Sequence, residues 1–445
     1  LKMVFLTDLR KHNRIVKSIN QTEGYLTTQV AFSYFEKGDQ SLTMSEKSQW
    51  GSKLGFILAS AGSVIGLGSV WKFPYMTAAN GGGGFLLIFL ISTILIGFPL
   101  LLAEFALGRS AGVSAIKTFG KLGKNNKYNF IGWIGAFALF ILLSFYSVIG
   151  GWILVYLGIE FGKLFQLGGT GDYAQLFTSI ISNPAIALVA QAAFILLNIF
   201  IVSRGVQKGI ERASKVMMPL LFIIFVVIIG RSLSLPNAME GVLYFLKPDF
   251  SKLTSAGLLY ALGQSFFALS LGVTVMMPLL FIVLPQLFDK MPFGTIFYVL
   301  FLFATVTSSV VMLEINVGNI TNQDNSKRAK WSVILGILTF VFGIPSALSY
   351  GVMADVHIFG KIFFDAMDFL ASNLLMPFGA LYLSLFTGYI FKKALAMEEL
   401  HLDERAWKQG LFQVWLFLLR FFVSSFQSSS LWSSLPNLCN QKGLE

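Results

Sequence analysis

An all-α, polytopic membrane protein is the fold class this 445-residue chain predicts, and three observations carry it. Hydrophobic residues make up 55% of the chain, charged residues 12%, and the mean hydropathy is +0.71, a balance foreign to soluble domains. Apolar runs recur at the length, about 20 residues, that crosses ~30 Å of hydrocarbon. Between Ala61 and Pro74, Gly62, Gly66 and Gly68, with Ser63, Ser69 and Lys72, interrupt a stretch otherwise apolar enough to span.

In chain order the runs lie near 54–79, 84–108, 129–161, 185–203, 216–233, 294–317, 332–350, 361–391 and 408–426, and a shorter one at 253–273 reaches only part of the way. The loop after the second run carries Arg109, Lys117, Lys121, Lys124 and Lys127. Arg204, Lys208, Arg212 and Lys215 follow the fourth, and Lys327, Arg328 and Lys330 follow the run at 294–317. The positive-inside rule makes these loops, and the N-terminus, cytoplasmic. The net charge of +11 is therefore topological, and nucleic acid is not an expected partner. Cys439 stands alone, which excludes an intramolecular disulfide and a cysteine metal site. His12, His357 and His401 have no metal-ligand spacing. Residues 1–43 are polar and mixed, which predicts an extension without packed structure rather than a cleaved targeting sequence.

The first run is the most informative. Each glycine weakens a helix by roughly 1 kcal/mol relative to alanine, so the helix is expected to open between Gly62 and Gly68. Irregular backbone at membrane depth persists only where protein or a polar cavity surrounds it. An opened helix offers free amides to an anion and free carbonyls to a cation.

Seven blocks in order give a resemblance. They are Gly66-Leu67-Gly68 with Lys72-Phe73-Pro74-Tyr75, the run Asn80 to Gly84, Glu104-Phe105-Ala106-Leu107-Gly108-Arg109, Ser144-Phe145-Tyr146, Phe266 to Gly272, Thr307-Ser308-Ser309, and Asp365 to Phe369. With them, residues 46 to about 422 resemble the neurotransmitter:sodium symporter family in its bacterial, leucine-transporter-like branch. The resemblance implies an inverted-repeat fold with discontinuous first and sixth helices. It also marks departures. Val275-Met276 runs directly into Met277-Pro278, where the family has the inward half of its sixth helix and a seventh span. Both are expected to be missing, with the gap near 276–277. The transmembrane domain is expected over 44–422, preceded by the atypical extension 1–43 and followed by a Ser-rich tail, 423–445.

The resemblance also assigns residues. Val64, Ile65, Gly66, Leu67 and Gly68 would hold a substrate carboxylate with the hydroxyl of Tyr146, whereas relatives carrying cationic amines have an acid at the position of Gly66. Backbone around Phe267 and Ser270 would meet the substrate amine, and Leu142, Phe267, Val273, Ser308 and Met312 would line its side chain. That lining is apolar and favours a neutral hydrophobic or aromatic amino acid. Gly62, Ile65 and Ala304 by carbonyls, with Thr307 and Ser308 by hydroxyls, would bind sodium, a small hard cation suited by oxygen ligands. A second sodium site is expected to be weak or lost, because Ser69 and Ala268 replace its usual ligands. Lys72 and Asp368 would form the outer gate, and Lys47 and Trp50 belong to the inner one, where Asn322 replaces the usual aspartate.

Plainer readings compete with these. Glycines and a tyrosine also serve helix packing, and Thr307 and Ser308 also bond back to their own helix. Lys72 also snorkels, and Asp368 also sits solvated in a vestibule. The function expected is sodium-coupled symport in a bacterial plasma membrane, with sodium, an amino acid and the bilayer as partners and a homo-oligomer compatible with it. No enzyme is expected, since no nucleophile–base pair accompanies Glu104 or Asp368. The alternative is a truncated or frameshifted, non-transporting membrane fragment of that family. A channel-like leak ranks below both, for want of a ring of charged residues.

Overall fold

The computed structural model describes residues 51–66, 68, 70, 73–165, 172–253, 257–258, 261, 279–283, 293–322, 324–402 and 406–425. They belong to one compact unit that begins after residue 47. Apart from a short hairpin pairing His357–Ile358 with Lys361–Ile362, the regular structure among them is helical.

The first run does not form one helix. Helix α1, Lys53–Val64, starts on Ser52, whose side chain accepts the Gly55 N–H, and it ends at Ile65, where ψ turns to 67°. Gly68 and Val70 already lie in a π-turn, the Val70 N–H donating to the Gly66 carbonyl at 3.1 Å, and α2 follows over Phe73–Ala79. Gly81 and Gly82 then take φ of 102° and 59°, a turn open to glycine, before α3, Gly83–Ala111. A π-turn at Thr93–Gly97 sits in α3 just ahead of Pro99, which has no N–H to continue the regular ladder.

The amphipathic α4, Ala115–Gly123, precedes α5, Asn129–Leu164. At 36 residues α5 is about 54 Å long, well beyond the ~30 Å it has to cross. The short α6, Tyr173–Ser182, leads to α7, Pro184–Ser203, capped by Asn183 and opened by a proline at its first turn. Next come α8, Val206–Leu233, and α9, Ala238–Leu246. Beyond the gap in described residues lie α10, Phe293–Thr321, and α11, Asn325–Leu348, capped by Asp324. The chain continues as α12, Phe363–Ile390, then α13, Lys393–Glu399, and α14, Ala406–Phe417, extended by Leu418–Val423.

Seven of these helices are long and apolar enough to cross a membrane: α3, α5, α7, α8, α10, α11 and α12. Helices α5, α7, α10 and α11 pack on one another to form the core, which holds Phe145, Trp152, Tyr156, Phe194, Tyr298 and Phe301. A second apolar cluster joins α3, α4, α12 and α14, where the Trp415 Nε1–H donates to the Pro99 carbonyl at 3.0 Å. The missing half-helix and seventh span expected near 276–277 fall on a stretch outside the described residues.

Candidate functional site

The opened end of α1 lies against α10. A Cβ placed on Gly62 would stand 3.0 Å from the Thr307 Cβ and 2.9 Å from the Met218 sulfur, so only hydrogen lets the two helices approach. A Cβ on Gly66 would stand 2.6 Å from the Ser308 Oγ and 3.3 Å from the Tyr146 hydroxyl. Residues separated by tens to hundreds of positions thus converge on two glycines. Gly66 and Gly68 are buried, whereas Val64 is 40% exposed.

Helix α10 supplies hydroxyls where α1 supplies backbone. The Ser308 Oγ donates towards the carbonyls of Gly62 and Ser63, each at 3.2 Å. One proton serves two long contacts, and the oxygen keeps its lone pairs. Thr307 does bond back to its own helix, donating to the Phe303 carbonyl at 2.8 Å with the Ala304 carbonyl at 3.2 Å. That bond uses the proton and leaves the Oγ1 lone pairs, so back-bonding and cation ligation are compatible. Ala304, Thr307 and Ser308 are all buried and lie on consecutive turns of one helix. Carbonyls from Gly62 and Ala304 with hydroxyls from Thr307 and Ser308 make a donor set of oxygen alone, which fits a small hard cation.

Tyr146, on α5, is 3% exposed, and Leu142 lies one turn before it at 1%. Met312 lies one turn beyond Ser308 on α10 and is buried too. Asp368, on α12, is buried rather than solvated, and it accepts the Ser372 hydroxyl at 2.8 Å. Leu67, Phe267, Ser270, Val273, Lys72, Lys47 and Trp50 lie outside the described residues.

Sequence reasoning missed one anchor of the opened helix. The Glu211 carboxylate, on α8, accepts the Gly51 N–H and the Ser52 hydroxyl, both at 2.7 Å, and pairs with Lys215 at 2.7 Å. A Cβ on Gly55 would collide with it. The available signal was the i,i+4 pair Glu211–Lys215 at the entry to an apolar run. Two buried amides, Gln191 and Asn198, also escaped notice inside a strongly apolar span.

Comparison with known proteins bears on the family. The sequence profile of the sodium:neurotransmitter symporter family matches residues 47–166 and 177–279. An uncharacterized sodium-dependent transporter of Bacillus subtilis, YhdH, is 45% identical over 436 residues, covering 85% of this chain and 96% of its own length. An uncharacterized sodium-dependent transporter of Haemophilus influenzae is 30% identical over 417 residues, covering 78% and 90%. The crystal structure of MhsT in complex with L-phenylalanine superimposes with a TM-score of 0.77 at 34% identity, covering 87% of this chain and all of that one. These relatives are transporters rather than enzymes. The chain is a multi-pass membrane protein that belongs to the sodium:neurotransmitter symporter family.

Proposed function

We propose that this protein binds a neutral, hydrophobic or aromatic amino acid together with sodium and carries both by alternating access across a bacterial plasma membrane. The convergence of Gly66, Tyr146 and Ser308 beside Gly62 and Thr307 carries the reading. The backbone around Ile65 to Gly68 and the Tyr146 hydroxyl hold the carboxylate, and Leu142 and Met312 meet the side chain. Sodium sits between Gly62, Ile65, Ala304, Thr307 and Ser308. The ion binds α1 and α10 at once, so it favours the state in which they are closed on each other. MhsT, seen with L-phenylalanine, supports an aromatic ligand. Scintillation proximity binding of tritiated L-phenylalanine to the purified chain tests it. Saturable binding in NaCl that is lost in choline chloride is the expected result, and binding indifferent to sodium overturns the sodium site.

A second reading is a chain that binds but does not complete the cycle. The YhdH alignment runs over 436 residues while taking in only 85% of this 445-residue chain, so YhdH has positions that this chain skips. Glu104, two turns before the C-terminal end of α3, is exposed, and a carboxylate facing hydrocarbon is expensive unless another element covers it. The inward half of the sixth helix and the seventh span would be such elements. In proteoliposomes with an imposed sodium gradient, the chain is expected to give no concentrative phenylalanine uptake, and a version with the YhdH segment inserted near 276–277 is expected to give it. Concentrative uptake by the unaltered chain removes this second reading.

A further inference from the structure

Helix α7 carries two buried amides that stand behind the site. Gln191 and Asn198, 0% and 1% exposed, are seven residues apart. Two helical turns separate them, so they share a face at heights about 10 Å apart. The Gln191 Nε2–H donates to the Ser147 Oγ at 3.1 Å, and that hydroxyl donates to the Ser144 carbonyl at 2.7 Å. Seven residues on, the Asn198 Oδ1 accepts from the Ser309 hydroxyl at 2.7 Å, while its Nδ2–H donates to the Phe194 carbonyl at 2.8 Å. Ser147 directly follows Tyr146 on α5, and Ser309 directly follows Ser308 on α10.

That adjacency has a mechanical meaning. Successive residues of a helix point about 100° apart, so a bond that grips the back of a turn sets where its front points. The Gln191 amide is also confined. On α11, a Cβ at Gly343 would stand 2.0 Å from the Gln191 Nε2 and 2.6 Å from the Ser144 carbonyl, so α11 closes tightly over this contact. An amide buried in an apolar span is costly unless it is bonded, and bonded it is directional, as an apolar side chain of the same shape is not.

We propose that Gln191 and Asn198 are positioning residues of the transport site, Gln191 acting through Ser147 on Tyr146 and Asn198 acting through Ser309 on Ser308 and Thr307. This rests on the sodium and carboxylate assignments above. Gln191 therefore governs amino-acid affinity and Asn198 governs sodium affinity, although neither touches a ligand.

The test compares Gln191→Met and Asn198→Leu, apolar replacements of similar shape, using tritiated L-phenylalanine binding across a NaCl titration. Melting temperature in NaCl against choline chloride gives a readout for sodium alone. Asn198→Leu is expected to raise the sodium half-saturation roughly threefold to tenfold, the effect of one lost interhelical hydrogen bond, and to shrink the melting gain from sodium. Its phenylalanine affinity at saturating sodium should stay within about twofold of the parent. Gln191→Met should do the reverse. Adding Ser309→Ala to Asn198→Leu should shift sodium no further, since both remove one bond. The proposal is overturned if both variants move both ligands in step with their loss of melting temperature in choline chloride, or if neither moves either ligand. A parent chain whose phenylalanine binding ignores sodium overturns the sodium reading first, and the Asn198 assignment with it.

Discussion

Helices α1 and α10 meet at one site by opposite means. Helix α1 stops at Ile65 and offers its own main chain, while α10 runs unbroken for 29 residues and offers side-chain hydroxyls. The first has to be small and open. The second has to be rigid and turned to the right angle. Burial draws a different line: α10 and α5 are mostly enclosed by protein, whereas α3 and α8 present broad apolar faces outward. On the proposed reading a side-chain deletion on α10 removes one ligand, but any side chain added at Gly66, just beyond α1, displaces Ser308 and Tyr146.

The largest effect is therefore expected on the broken helix. Gly66→Leu should abolish phenylalanine binding with membrane insertion intact, because even a Cβ would stand 2.6 Å from the Ser308 Oγ. Scintillation proximity binding on purified protein measures it, and retained affinity would break the comparison at its root. On the intact helix, Thr307→Val with Ser308→Ala should leave a folded protein without sodium dependence. The parent should respond to sodium with a Hill coefficient of about one, as a single site requires. A steeper sodium curve, or a double variant that still needs sodium, would remove the single-site assignment.

Smaller effects sharpen the division. Tyr146→Phe deletes a hydroxyl facing Gly66 and keeps the packing, so phenylalanine should bind about tenfold more weakly, the cost of one hydrogen bond to a charged group. Isothermal titration in NaCl would show it, and unchanged affinity would assign Tyr146 to packing alone. The smallest expected change is Ser52→Ala, which removes the α1 cap and one hydroxyl contact to Glu211. It should cost about 1 kcal/mol of stability, read as a lower melting temperature in detergent, with binding retained.

The break in the first span and the polar face of α10, on which the candidate site rests, were legible beforehand because their signals are local. Glycine at 62, 66 and 68 within an apolar run announces a helix that opens, and the break at Ile65 lies there. Thr307 and Ser308 at adjacent positions, with Ala304 one turn back, announce a polar face on an apolar helix. Gln191 and Asn198 announced nothing comparable, since a polar residue in a span is read as functional only when its partner is known. Their partners, Ser147 and Ser309, lie 44 and 111 residues away. Glu211 likewise went unremarked among its basic neighbours, although its carboxylate accepts from Gly51 at the start of α1, 160 residues away.

Hydropathy, length and glycine placement alone determined that this chain crosses a membrane repeatedly and that its first span is broken. Each of those is set by the free energy of a short segment in water, lipid or helix, which neighbouring residues decide. Only the tertiary structure decided that Gly66 faces Ser308 and Tyr146, and that α7 bonds to α5 and α10 behind the candidate site. Those pairings join residues far apart in the chain, and helix rotation and height, to within a fraction of a turn, choose which polar groups meet. That choice belongs to the packing of whole helices, where no single segment carries it.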